Sequence, residues 1–175
     1  MNTDAAEKTL FDFTTATNSP AWQIVNDDVM GGISTSRFQI LTNDGAVFNG
    51  VVSLENNGGF VSVRSSPVRQ DLAGCDAFVL RVRGNGHRYK FTARTETVFD
   101  TPIYHCAFPT KRGEWEEHRL PFKDFIPTFR GRVLTDVPSL NPAKVSSVGF
   151  LIADKEDGPF RLEIGWAKAG GSKPE

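Results

Sequence analysis

The sequence predicts an all-β domain, an antiparallel sandwich or barrel. Three observations carry that expectation. Short segments that alternate apolar and polar residues recur about every ten positions, with Gly, Asn and Asp between them. No segment keeps a helical period. Phe (14) and Gly (16) are plentiful, as strands and turns require. At 175 residues the chain has the length of one domain and can bury a core without disulfides or metal.

About ten segments read as strands. Leu10 to Phe13 and Trp22 to Asn26 open the series, and Ser36 to Leu41 follows with Phe38 and Ile40 on one face. Asn43-Asp44-Gly45 turns the chain into Ala46 to Glu55, where Phe48, Val52 and Leu54 share a face. Asn57-Gly58, before Phe60 to Ser65, is a hairpin signal because both residues tolerate positive φ. Ala77 to Arg83 alternates Phe78, Leu80 and Val82 against Val79, Arg81 and Arg83. Gly84-Asn85-Gly86 is expected to pair it as a hairpin with Arg88 to Thr95, where Tyr89, Phe91 and Ala93 point inward. Ile103 to Phe108, Trp115 to Leu120, Val145 to Ala153 and Phe160 to Ala167 complete the set, the last alternating Phe160, Leu162, Ile164 and Trp166. Between them Pro121 to Lys144 is a long connection carrying Phe122, Phe125 and Phe129, a length that marks a functional or core-covering segment. The expected organisation is a flexible start at 1–9, one sandwich at 10–168 and a flexible tail at 169–175.

Composition narrows the function classes. With 20 Lys plus Arg against 21 Asp plus Glu, no global positive field holds a nucleic acid or an anionic membrane. Apolar stretches are strand-sized, so membrane insertion is not expected. Cys75 and Cys106 form no C-x-x-C pattern, which speaks against a zinc site or a disulfide-stapled module. Met1 to Thr9 has neither the basic start and apolar run of a signal peptide nor an Arg-rich presequence, so the expected compartment is the cytoplasm.

Candidate sites carry a functional and a plainer reading side by side. Asn26-Asp27-Asp28-Val29-Met30-Gly31-Gly32-Ile33-Ser34 is either a polar pocket at the sandwich edge, with Asn26, Asp27, Met30 and Ser34 as contacts, or a self-capped turn. Asp27 and Asp28 are adjacent and point to opposite faces in an extended segment, so they make no acid/base dyad. Asn56 and Asn57 are turn residues first and recognition residues second. His87, His105 and His118 lack metal-ligand spacing, and the Gly-rich turns have no G-K-[ST], so no metal, nucleotide or other cofactor is expected. Cys106 alternates with Tyr104 and Phe108 as a core residue would.

Alternation yields one further expectation. If Arg83 faces Arg88 across the turn, Arg81 faces Lys90 and Ala77 faces Arg94, giving one cationic sheet face. Glu116 or Glu117, or an acidic partner, would compensate it. Arg64 is placed to join that patch. Phe129-Arg130-Gly131-Arg132 adds a second contact region, with Phe129, Arg130 and Arg132 as its residues.

Several runs together resemble the complex I intermediate-associated protein 30 family. They are Trp22 with Val25-Asn26-Asp27-Asp28-Val29-Met30-Gly31-Gly32 and Ser34, then Phe48-Asn49-Gly50, Ser53 to Phe60, and Arg64. The likeness resumes at Arg83-Gly84-Asn85-Gly86, Trp115, Leu120-Pro121-Phe122, Phe125, Phe129 to Arg132, Gly149-Phe150-Leu151 and Gly158-Pro159-Phe160. It spans Leu10 to Lys168. The resemblance implies a galactose-binding-like jelly-roll β-sandwich, an architecture shared with many carbohydrate-binding modules. It also implies a non-catalytic helper of respiratory NADH:ubiquinone oxidoreductase assembly. The chain departs from the mitochondrial pattern in lacking a presequence and long N-terminal extension, which suggests a stand-alone bacterial or plastid-type member.

The leading expectation is therefore a non-enzymatic binding or assembly domain whose partner is a protein. The alternative is a carbohydrate-binding module, with Tyr104 or Trp115 stacking on sugar rings. A small-molecule enzyme near Asp27 lacks a nucleophile–base or metal constellation. RNA binding, found among plastid relatives, is disfavoured by the net charge.

Overall fold

Phe78, Leu80 and Val82 are fully buried, as their alternation demands, and so are Tyr89, Phe91 and Ala93 on the strand that follows. The two triplets meet from opposite sides of the core, with Phe78 edge-on to Phe91 at 5.0 Å. Burying each such ring contributes about 2–3 kcal/mol, which is why these strands lie with their apolar faces together.

The computed structural model describes residues 7–14, 21–26, 32–41, 45–55, 59–65, 71–95, 102–129, 132–153 and 156–170. Asp27, Met30, Asn56, Asn57 and Arg130 lie outside them. The strands are β1 (Lys8–Asp12), β2 (Trp22–Asn26), β3 (Thr35–Leu41), β4 (Gly45–Val52), β5 (Val61–Ser65), β6 (Ala77–Arg83) and β7 (Tyr89–Arg94). They continue as β8 (Ile103–Phe108), β9 (Trp115–Pro121), β10 (Ile126–Phe129), β11 (Arg132–Val133), β12 (Ser147–Ile152) and β13 (Gly158–Gly170). The first and last strands of the chain thus begin at Lys8 and end at Gly170.

Two antiparallel sheets form a jelly-roll sandwich, as the alternation and the resemblance lead one to expect. The first runs β3-β4-β13-β6-β9, with β1 also on β13, and the second runs β11-β10-β8-β7-β12-β5-β2. Phe11, Phe13, Trp22 and Phe38 close one edge between the sheets, with Trp22 stacked on Phe38 at 5.2 Å.

Four local expectations are corrected. β6 and β7 do not form a hairpin, because β6 lies between β13 and β9 while β7 lies between β12 and β8. The connection after β6 is held elsewhere. Thr110 Oγ1 accepts the Gly86 N–H at 3.1 Å and donates to the His87 carbonyl at 2.7 Å, and a Cβ on Gly84 would collide with the Thr110 side chain at 2.4 Å. Glycine here permits close approach to that threonine instead of a two-strand turn. β4 and β5 likewise belong to different sheets and form no hairpin with each other, and Asn57-Gly58 lies outside the described residues.

Trp166 does not share the inward face of Phe160, Leu162 and Ile164. The pairing of β13 with β6 shifts between Ile164 and Trp166, which sets Trp166 opposite Arg81 and buries Ala167 in its stead. Gly165 sits at that bulge, and its carbonyl accepts the Phe13 N–H at 2.8 Å.

The stretch from Pro121 to Lys144 is not a structureless connection. Phe122 and Phe125 pack on Phe78 at 4.8 and 5.4 Å, and β10 and β11 extend the second sheet beside β8.

Candidate binding face

The expected cationic face separates into two surfaces, because β6 and β7 lie in different sheets. Arg81 and Arg83 stand on the outer side of the first sheet. Lys90 and Arg94 stand on the outer side of the second.

On the first sheet the charges satisfy one another. Arg83 faces Glu163 in register and forks onto it, Nε to Oε2 at 2.9 Å and Nη2 to Oε1 at 2.8 Å. The hydrogen bond from Arg83 holds the Glu163 carboxyl below the usual carboxylate range, against a smaller opposing effect of burial. Arg81 meets Glu117 at 3.6 Å, one of the two carboxylates expected for that role. Both guanidinium groups lie on the Trp115 ring, 5.2 and 5.1 Å from its centre. Trp115 is therefore partly covered, and Tyr104 is buried with its hydroxyl donating to the Pro138 carbonyl at 2.8 Å. Of the two aromatics named for sugar stacking, Tyr104 is closed off, while Trp115 stays 36% exposed beside the two guanidinium groups.

The second sheet presents a different surface. Strand register aligns Gln23, Arg64, Gly149, Thr92, His105 and Ile126 in one row across six strands. Val25, Ser62, Leu151, Lys90 and Ala107 make the next row, and Arg94 faces Ser147 on the other side. Arg64, Lys90 and Arg94 thus share one face. Between Arg64 and Arg94 runs β12, whose Gly149 has no room for a side chain, since a Cβ would meet the Val63 carbonyl oxygen at 2.2 Å.

Burial lowers the affinity of both arginines for their protons. For Arg94 the nearby charge of Arg64 adds to burial, and together they bring it down to about 10. At the far end Ile126 (44% exposed) and Val133 (62%) are open to solvent, with Val133 opposite Thr128. None of the described strand residues that register places on this face is Phe, Tyr or Trp.

The remaining candidates serve the scaffold or lie apart. Asn26 faces Val61 on the opposite side of the second sheet from Arg64, and its Oδ1 accepts the Ser36 hydroxyl at 2.9 Å, tying β2 to β3. The two do not converge in a cleft. Ser34 is buried, and its Oγ accepts the Ser53 N–H at 2.8 Å and donates to the Ser53 carbonyl at 3.3 Å. Half-buried Phe129 faces exposed Arg132 across β10 and β11, beyond the row of Ile126.

The three histidines are dispersed. His87 Nδ1 lies 3.0 Å from Glu156 Oε1 and its Nε2 3.0 Å from the Pro159 carbonyl, His105 sits opposite Thr92, and His118 is on the core side of β9 against Phe108. Among the described residues no three His, Cys, Asp or Glu side chains gather to hold a metal. Both thiols, Cys75 and Cys106, are pushed up by burial, away from nucleophilic reactivity. Also among the described residues, no helix is long and apolar enough to cross a membrane.

Sequence reasoning missed Gly149, Thr92 and His105 as parts of this face. An isolated glycine inside an alternating strand was the available signal, since it marks close backbone approach.

The model of the complex I intermediate-associated protein 30 family matches residues 11–164, which includes most of the first sheet, all of the second and the face just described. The chain belongs to that family. Its relatives include the mitochondrial complex I intermediate-associated protein 30 of Drosophila melanogaster, 29% identical over 177 residues covering 89% of this chain and 60% of that protein. The Mus musculus protein of the same name is 30% identical over 163 residues, covering 82% of this chain and 50% of the relative. The chain thus spans between 50% and 60% of the length of these two family members. Both are named mitochondrial, which overturns the cytoplasmic expectation. Among solved structures, the family 11 carbohydrate-binding module of the cellulase Lic26A-Cel5E of Clostridium thermocellum superposes with a TM-score of 0.71 at 17% identity, covering 98% of each chain. At that identity the likeness establishes a common galactose-binding-like sandwich and no more.

Proposed function

We propose that this family member is a non-catalytic assembly domain that binds a protein partner during the building of respiratory complex I. The observation that carries the reading is the family match over both sheets, joined to an outward face on the second sheet that bears Arg64, Lys90 and Arg94. The mitochondrial setting of the named relatives goes with that role.

Binding suits the chemistry of the described residues better than catalysis does. The hydroxyls of Ser34 and Thr110 are engaged with backbone groups, and the two thiols are disfavoured as thiolates. Binding of glycan is the second reading, supported by the shared sandwich. It is weakened by the absence of Phe, Tyr and Trp among the described strand residues of the cationic face.

The test is genetic and biochemical. In cells lacking the gene, mature complex I on native gels is expected to fall, and the tagged chain is expected to restore it and to co-migrate with a subcomplex. Normal complex I in the deletion strain, with the tagged chain migrating only as free protein, overturns the reading.

A further inference from the structure

We infer that the outward face of the second sheet takes an acidic segment of the partner protein, with a carboxylate seated across the Arg64–Gly149–Arg94 diagonal and apolar side chains toward Ile126 and Val133. This rests on the protein-binding role proposed above and names the chemistry of the partner.

The geometry supplies a seat. Arg64 is in register with Gly149, Gly149 with Thr92, and Arg94 is the next outward residue of β7 after Thr92. Adjacent strands lie about 4.8 Å apart, so long arginine side chains flank a strip in which position 149 contributes only backbone. The tight approach of β12 to Val63 and Arg64 excludes a Cβ there, and Gly149 is itself buried, so the groups that face a ligand along this strip are the arginine side chains on either side of it. Paired guanidinium forks match the planar oxygens of a carboxylate.

The energetics favour an incoming anion. Both arginines interact with neighbours in the free chain, yet the sum of their surroundings still disfavours the cation, most clearly at Arg94. A carboxylate bound between them would reverse that balance. With a net charge of -1 the chain has no general field for polyanions, so the local cations of this face act through orientation and contact.

The neighbouring surface selects for protein. Exposed Ile126 and Val133 offer apolar contact beyond the charged rows, and Thr92, Thr128 and His105 lie between. The described strand residues of the face offer no Phe, Tyr or Trp ring on which bases or sugars would stack.

The experiment is an NMR titration of the full-length, 15N-labelled chain. Its probes are a capped dodecapeptide of Glu, Leu and Ser, the same peptide with Lys for Glu, an oligouridylate, and a mixed-linkage β-glucan tetrasaccharide. The Glu peptide is expected to produce saturable shifts in the Nε–H signals of Arg64 and Arg94 and in the amides of Thr92 and Gly149. Arg94→Gln and, independently, Arg64→Gln are expected to weaken it about 10-fold, whereas Arg119→Gln on the other sheet leaves it unchanged. Absence of saturable shifts, an equal response to the Lys peptide, or preference for the oligouridylate or tetrasaccharide overturns the inference. If the Glu peptide fails while the tagged chain still co-migrates with a complex I subcomplex, the acidic-segment inference falls and the assembly role stands. If co-migration fails while the Glu peptide binds as expected, the assembly role falls alone.

Discussion

Arg83 and Glu163 face each other in register on β6 and β13, and two parallel hydrogen bonds of 2.9 and 2.8 Å lock them together. The pair lies on the first sheet, at the centre of a surface whose ionic groups answer one another. It explains why half of the expected cationic patch is a structural element.

This pair makes stability depend on pH. The Glu163 carboxyl titrates below its ordinary value, chiefly through the bond from Arg83, so its contribution is fully present above the unfolded-state value of about 4.3 and disappears as pH falls through the lower, folded one. Glu163→Gln is expected to cost about 1 kcal/mol at neutral pH, the side chains being partly solvated. In urea unfolding the gap between wild type and variant should close in strong acid. A gap that is constant from neutral pH to strong acid counts against this assignment.

Gly149→Ala tests the close approach of β12 to β5. The added methyl would meet the Val63 carbonyl oxygen at 2.2 Å and the Arg64 Cα at 2.9 Å, both backbone atoms that move only with the strand. A loss of about 3 kcal/mol is expected by denaturant titration. Wild-type stability in the variant would show that the strands separate freely.

Ser34→Ala separates latch from ligand contact. Two bonds to Ser53 are lost at a position only 5% exposed, so stability should drop by about 1–2 kcal/mol while binding of the Glu peptide keeps its affinity. Weakened peptide binding at full stability would assign Ser34 to recognition.

Phe78 touches Phe91, Phe122 and Phe125 at 5.0, 4.8 and 5.4 Å, joining the two sheets to the segment after β9. Phe78→Ala should cost about 3–5 kcal/mol in equilibrium unfolding. It should also raise proteolysis within Phe122 to Phe125, and cleavage confined to other segments would contradict that packing.

Cys75 and Cys106 should alkylate slowly in the folded protein. Burial is the first cause at both sites, and it raises each thiol above its ordinary value. Iodoacetamide at mildly alkaline pH should modify the native chain at least about 10-fold more slowly than the urea-unfolded chain. Equal rates would remove burial as the controlling factor.

Much of the candidate face could be named from the sequence but not assembled from it. Arg64, Lys90 and Arg94 were legible individually, each as a polar position on an alternating strand. Their common placement depends on β12 coming to lie between β5 and β7, some fifty residues or more away along the chain. Arg81 and Arg83 looked equivalent to Lys90 and Arg94 because a glycine-rich link between alternating strands reads as a hairpin. The contact of Gly84 with Thr110 is invisible to local pattern. The turn of Trp166 likewise depends on Phe13, whose N–H reaches the Gly165 carbonyl from the opposite end of the chain.

Alternation is a property of neighbouring residues, so the sequence by itself determined that this chain forms strands, most of the side chains those strands bury, and that the strands form a sandwich, while Trp166 and Ile40 were turned outward by the tertiary structure. Which strand lies beside which was decided only by tertiary structure. Strand partners are chosen by hydrogen bonding and packing between distant segments, and the same inward pattern satisfies more than one neighbour. Hence the arginines were readable one by one, and only the order of strands gathered Arg64, Lys90 and Arg94 on one surface while fastening Arg83 to Glu163 on the other.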